Sequence, residues 1–118
     1  MAKIMIVDDS LFIRNRLSKL IVEHGYETVV ARDGKEAVDI YRSAKPDAVL
    51  LDVTMPNKDG LKALSEIRQL DPQARIIMLT ALDQQSLATQ AIQEGAKDFL
   101  VKPIHSGRVI AALQRVLR

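Results

Sequence analysis

Five short apolar runs, each followed by a stretch whose apolar residues recur every three or four positions, leave this chain few folds to choose from. The runs occupy residues 4–7, 28–31, 48–51, 76–79 and 99–101. Short apolar runs bounded by turn signals suit strands, whereas recurrence at i, i+3, i+4 and i+7 suits helices. Ile13, Leu17, Leu20 and Ile21 share one helical face after the first run, and Ala37, Val38 and Tyr41 share another after the second. Leu61, Leu64, Ile67 and Leu70 follow the third run, and Leu87, Ala88, Ala91 and Ile92 the fourth. Val109, Ile110, Leu113, Val116 and Leu117 close the series. Five strands alternating with five helices predict an α/β domain. The first, third and fourth runs show no polar alternation, as strands covered on both faces require. Right-handed crossovers then give a parallel, doubly wound sheet with helices on both sides.

Punctuation agrees with this division. Gly25 stands where a helix should end, and Asp33-Gly34-Lys35-Glu36 has the spacing of a capping box. Pro46-Asp47, Asp71-Pro72 and Gly95-Ala96 separate later helices from their strands. Nothing reads as a linker or a repeat, so residues 1–118 are expected to form one domain. Aliphatic residues must supply its core, because aromatics make up only 3%. The absence of Cys excludes disulfides, Cys-ligated zinc and thiol catalysis, and fits a cytoplasmic location. No apolar stretch approaches the ~20 residues of a membrane span, so no membrane insertion is expected. The formal charge is +2 and the pI about 9.0, but the Lys and Arg residues are scattered, and direct nucleic-acid binding is not expected.

In a doubly wound sheet, ligands bind beyond the carboxyl ends of the strands. The residues there are Asp8 and Asp9 after the first run, Asp52 after the third, Thr80 after the fourth and Lys102-Pro103 after the fifth. Any one of these alone is as well explained as a strand-end cap or a turn residue. Five at successive strand ends point to a site. Three neighbouring carboxylates repel one another, and a bound cation keeps all of them ionised. Oxygen donors without Cys or a suitably placed His favour a hard ion, and Mg²⁺ is the expected one. A carboxylate can act as a nucleophile towards phosphorus, an ammonium can pair with phosphate oxygens, and a hydroxyl can donate to them.

These residues sit in stretches that resemble the receiver domains of two-component response regulators, of the single-domain chemotaxis type. The stretches are Ile6-Val7-Asp8-Asp9-Ser10, the segment from Leu50 to Pro56 with Asp59-Gly60, Leu79-Thr80-Ala81, and the segment from Gly95 to Pro103. The likeness spans essentially the whole chain. It implies a flavodoxin-like sheet of order 2-1-3-4-5. It implies that Asp52 accepts a phosphoryl group from a sensor histidine kinase. Asp9, Asp52 and the Thr54 backbone carbonyl would hold Mg²⁺ directly, Asp8 acting through a metal-bound water. Lys102 would contact Asp52 and then the phosphoryl group, across a cis Lys102-Pro103 bond. Thr80 would move towards the phosphoryl group, its hydroxyl gaining a partner only in that state, and Phe99 would turn inward behind it. The face of helix 4, strand 5 and helix 5 would then bind an output protein, with a flagellar motor switch component the leading candidate and a phosphatase a further partner. Thr54 and Leu82 would border the phosphoryl group. Because Leu82 cannot position a hydrolytic water by hydrogen bonding whereas Thr54 can, slow to moderate self-dephosphorylation is expected.

Other readings stay open on the sequence. The chain ends directly after its fifth helix, so output is expected through a partner. A phosphorelay intermediate and a receiver excised from a transcription factor share the same motifs. An aspartyl-nucleophile phosphohydrolase would also use Asp52 and Mg²⁺, but an acid two residues after Asp52 is missing. A flavin carrier needs a Ser-, Thr- and Gly-rich first loop, where this chain has Asp8-Asp9. Phosphorylation and dephosphorylation of the domain itself are the only catalysis expected. His24 reads as a helix-end cap and His105 as the start of helix 5. The Met residues read as packing, and Gln84, Gln85 and Gln90 equally as solvation of helix 4 or as partner contacts.

Overall fold

A computed structural model describes residues 1–55 and 58–118, so Pro56 of the motif after Asp52 lies outside the described residues. The elements alternate as β1 (Lys3–Val7), α1 (Leu11–Glu23), β2 (Glu27–Ala31), α2 (Gly34–Ala44), β3 (Ala48–Asp52) and α3 (Gly60–Leu70). β4 (Ile76–Thr80), a 3₁₀ turn (Leu82–Gln84), α4 (Gln85–Gln93), β5 (Asp98–Val101) and α5 (Ser106–Val116) complete the order. All strand pairs are parallel, and the sheet runs β2-β1-β3-β4-β5. This is the flavodoxin-like, doubly wound arrangement expected from the alternation and the resemblance.

Two cores result from the period-two alternation of the strands. Met5, Val7, Val49, Leu51, Ile76 and Met78 pack with residues of α2, α3 and α4. Ile4, Ile6, Leu50, Ile77 and Leu79 pack with Leu17 and Ile21 of α1 and with Val109, Ile110 and Leu113 of α5. β3 and β4 are buried at every position, which is why their sequences carry no polar alternation.

The helices begin at the carboxyl edge of the sheet, and local chemistry sets their starts. Ser10, Asp33 and Asp59 cap α1, α2 and α3 by accepting the N–H groups of Ile13, Glu36 and Lys62. The capping box at α2 is half formed as its spacing suggests. Glu36 reaches back to the N–H of Arg32, at 3.3 Å, rather than to that of Asp33, and pairs with the Arg32 guanidinium as well. α1 ends at Gly25 with φ of +89°, the left-handed geometry that glycine adopts without a steric penalty. No helix among the described residues is long and apolar enough to cross a membrane.

Candidate functional site

β1 and β3 lie side by side in the centre of the sheet, so their carboxyl ends deliver Asp8, Asp9 and Asp52 to one place. One carboxylate oxygen from each lies within 4.8 Å of the others. Asp8 is wholly buried, Asp52 is 5% exposed, and Asp9 is open to solvent. Both Asp8 oxygens are occupied. Oδ1 accepts the Ser10 N–H at 2.9 Å, and Oδ2 accepts Lys102 Nζ at 2.9 Å. The Asp8 carbonyl accepts the Arg14 guanidinium at 2.7 Å. Asp52 is less engaged: Oδ1 takes the Thr54 N–H at 3.4 Å, and Oδ2 stands 3.6 Å from Lys102 Nζ.

The electrostatics follow from this crowding. Burial and the Asp8 charge push Asp52 up from 3.8 to about 6, against the opposing pull of Lys102 and the Thr54 N–H. Burial works against the charged form of Lys102, but its hydrogen bond to Asp8 and the Asp52 charge outweigh that, and its pKa is raised. A group of carboxylates in which one resists ionisation lacks positive charge. Three oxygen donors in that geometry suit a hard divalent cation, and Mg²⁺ fits them.

The remaining strand-end residues close the site. β4 brings Thr80 to the same edge, and the Lys102 N–H donates to the Thr80 carbonyl at 2.7 Å. The Lys102-Pro103 peptide bond is cis. The Thr80 side chain is wholly buried, and its hydroxyl already donates to the Ala81 carbonyl at 3.1 Å. The expectation that this hydroxyl has no partner before phosphorylation is therefore corrected. A buried hydroxyl without a bond is costly, and this one finds its acceptor on the next residue of its own loop. Phe99 is half-buried at the edge of the α2–α3–α4 core and lines a surface hollow of about 280 Å³ with Ile104, His105 and Arg108. His105 stands at the N-cap position where α5 starts, with no capping bond from its side chain.

Two neighbours of the site escaped the sequence reading. Arg14 carried no signal, because its reach back to Asp8 depends on how α1 leaves β1. Gln84 reads from the sequence as helix solvation or a partner contact, but its side chain bridges two loops, donating to Thr54 Oγ1 at 2.7 Å and accepting the Ala81 N–H at 3.2 Å. Position alone, four residues after Thr80, was the available clue.

Fold and site together define a class: a doubly wound α/β protein with three clustered carboxylates and one shared lysine at the carboxyl edge of its sheet. Comparison with known proteins makes the assignment specific. The sequence profile of the response regulator receiver domain matches residues 4–114, and the chain belongs to that family of two-component signalling proteins. It is 48% identical to the chemotaxis protein CheY of Bacillus subtilis over 116 residues, covering 98% of this chain and 97% of that protein. It is 45% identical to CheY of Thermotoga maritima over 115 residues, covering 97% and 96%. Among solved structures, the CheX-CheY-BeF3-Mg+2 complex from Borrelia burgdorferi superposes with a TM-score of 0.94 at 37% identity, over 99% of this chain and 90% of that one.

Proposed function

We propose that this domain is a phosphorylation-activated switch in chemotaxis signalling, with Asp52 as its phosphoacceptor. The observation that carries the reading is the convergence of Asp8, Asp9 and Asp52 beside Lys102 at one edge of the sheet. Of the two buried carboxylates Asp52 has the weaker internal bonds, so its oxygens are freer to attack than those of Asp8. In the transfer, one Asp52 oxygen attacks phosphorus. The bond from phosphorus to the imidazole nitrogen of a sensor kinase phosphohistidine breaks, and that nitrogen keeps the electron pair. Lys102 pairs with the phosphoryl oxygens as a point charge, and Thr80 donates its hydroxyl to them.

Asp9, Asp52 and the Thr54 carbonyl would hold Mg²⁺, with Asp8 acting through water, and the ion would supply positive charge against the repulsion of the incoming group. Asp8 suits the outer role because Ser10 and Lys102 already occupy its oxygens. The new dianionic group draws Thr80 towards it, and Phe99 moves into the space vacated. The face of α4, β5 and α5 thereby alters, and an output protein reads it. Identity with CheY proteins across nearly their full length supports a flagellar motor switch component as that partner. The CheX-CheY complex supports a phosphatase of the CheX kind as a second partner. A cytoplasmic location follows from this role.

Intact mass after incubation with acetyl phosphate and Mg²⁺ tests the reading. One added phosphoryl group per chain, lost in Asp52→Ala, is expected. Sustained hydrolysis of phosphate esters with no labelled chain would instead favour a phosphohydrolase.

A further inference from the structure

Gln84 closes the 3₁₀ turn after β4, half-buried, and its single carboxamide joins two loops. Its carbonyl accepts the Ala81 N–H at 3.2 Å, next to Thr80, and its amide donates to Thr54 Oγ1 at 2.7 Å. Thr54 is itself attached to Asp52 through its N–H at 3.4 Å. The chain from the phosphoacceptor to the switch hydroxyl therefore runs Asp52, Thr54, Gln84, Ala81, Thr80, with hydrogen bonds at each step between the loops.

Resting on the phosphoacceptor reading above, we propose that Gln84 is a positioning residue whose carboxamide clasps the loops after β3 and β4 in their unphosphorylated arrangement and slows phosphoryl uptake at Asp52. The two ends of the clasp are anchored differently. Thr54 belongs to a segment held by the Gly60 N–H on the Val53 carbonyl at 2.8 Å and by the Val53 N–H on the Leu79 carbonyl at 2.9 Å. Ala81 follows Thr80, the residue that must travel towards the phosphoryl group and give up its bond to the Ala81 carbonyl. When Thr80 moves, Ala81 moves with it while Thr54 stays. One short side chain cannot keep both partners within hydrogen-bond range across that displacement. Uptake then carries the loss of one hydrogen bond, which corresponds to a rate factor of roughly 2- to 10-fold.

The test compares acetyl phosphate uptake, followed by intact mass at fixed Mg²⁺, in wild type, Gln84→Met, Thr54→Val and the double variant. Methionine keeps the length of the side chain and removes both bonds; Gln84→Ala checks that the result does not depend on the methionine itself. Thermal unfolding of each variant confirms that it folds, and calorimetric Mg²⁺ titration reads the cation site separately. Uptake roughly 2- to 10-fold faster in Gln84→Met, no further gain from adding it to Thr54→Val, and unchanged Mg²⁺ affinity support the clasp. Unchanged uptake in Gln84→Met, an equal gain in the Thr54→Val background, or a parallel change in Mg²⁺ affinity overturns it. If Asp52→Asn takes up the label as wild type does, the phosphoacceptor reading itself fails, an outcome separate from any behaviour of Gln84.

Discussion

Lys102 Nζ is hydrogen-bonded to Asp8 Oδ2 at 2.9 Å, closer than the 3.6 Å that separates it from Asp52. The ammonium is thus the internal counter-ion of a fully buried carboxylate, with Asp52 as its secondary partner. Lys102→Met leaves the Asp8 charge without its cation. In chelator at pH 7, urea unfolding is expected to show a loss of about 1–3 kcal/mol, below the full value for a buried pair because the lysine side chain is 25% exposed. Mg²⁺ affinity, read by calorimetry, is expected to rise in the same variant, since a competing cation is gone. Weaker Mg²⁺ binding would contradict this account of the pair.

Asp52 has its pKa raised to about 6 in the folded chain, against 3.8 for an ordinary aspartate. A carboxyl that binds its proton more tightly when folded favours the folded state below the ordinary value, and that contribution is lost as pH rises through about 6. Asp52→Asn cannot ionise, so it escapes the loss. The variant is expected to be more stable than wild type in chelator at pH 7, by about 1–2 kcal/mol once solvent at the rim is allowed for. The gap should open between about pH 4 and pH 6 and stay level above. Equal stabilities at pH 7 would mean that the site tolerates its charges without a cation.

Mg²⁺ is expected to bind only as Asp52 gives up its proton. At pH 7 the ion should raise the thermal midpoint, and at pH 5 the same concentration should raise it less. Asp9 is the exposed member of the group. Asp9→Asn is expected to abolish the Mg²⁺-dependent shift while changing stability in chelator by no more than about 0.5 kcal/mol. A full shift in Asp9→Asn would remove this residue from the cation site.

Gly60 stands where a side chain cannot. A Cβ there would clash with the Asp52 carbonyl oxygen and lie 2.8 Å from Val53, so Gly60→Ala must displace the backbone that carries Asp52. A loss of about 2–4 kcal/mol and impaired phosphoryl uptake are expected. Gly107, in α5, has nothing within 4 Å of the same position. Gly107→Ala is expected to stabilise by about 0.5–1 kcal/mol, with uptake unaffected. Denaturant midpoints and intact mass on the two variants check both outcomes.

The sequence alone determined the elements, their alternation and the edge of the sheet to which Asp8, Asp9, Asp52, Thr80 and Lys102 belong. Those features depend on periodicity, turn residues and chain direction, which are local. Only the tertiary structure decided which partners each residue takes. It put the lysine on Asp8 ahead of Asp52, turned the Thr80 hydroxyl onto its neighbour's carbonyl, sent Glu36 back to Arg32, and laid Gln84 across to Thr54. Those choices join residues up to 94 positions apart or turn on a bond rotation. Distances set by strand order and by packing in two separate cores leave no mark on the spacing of residues along the chain.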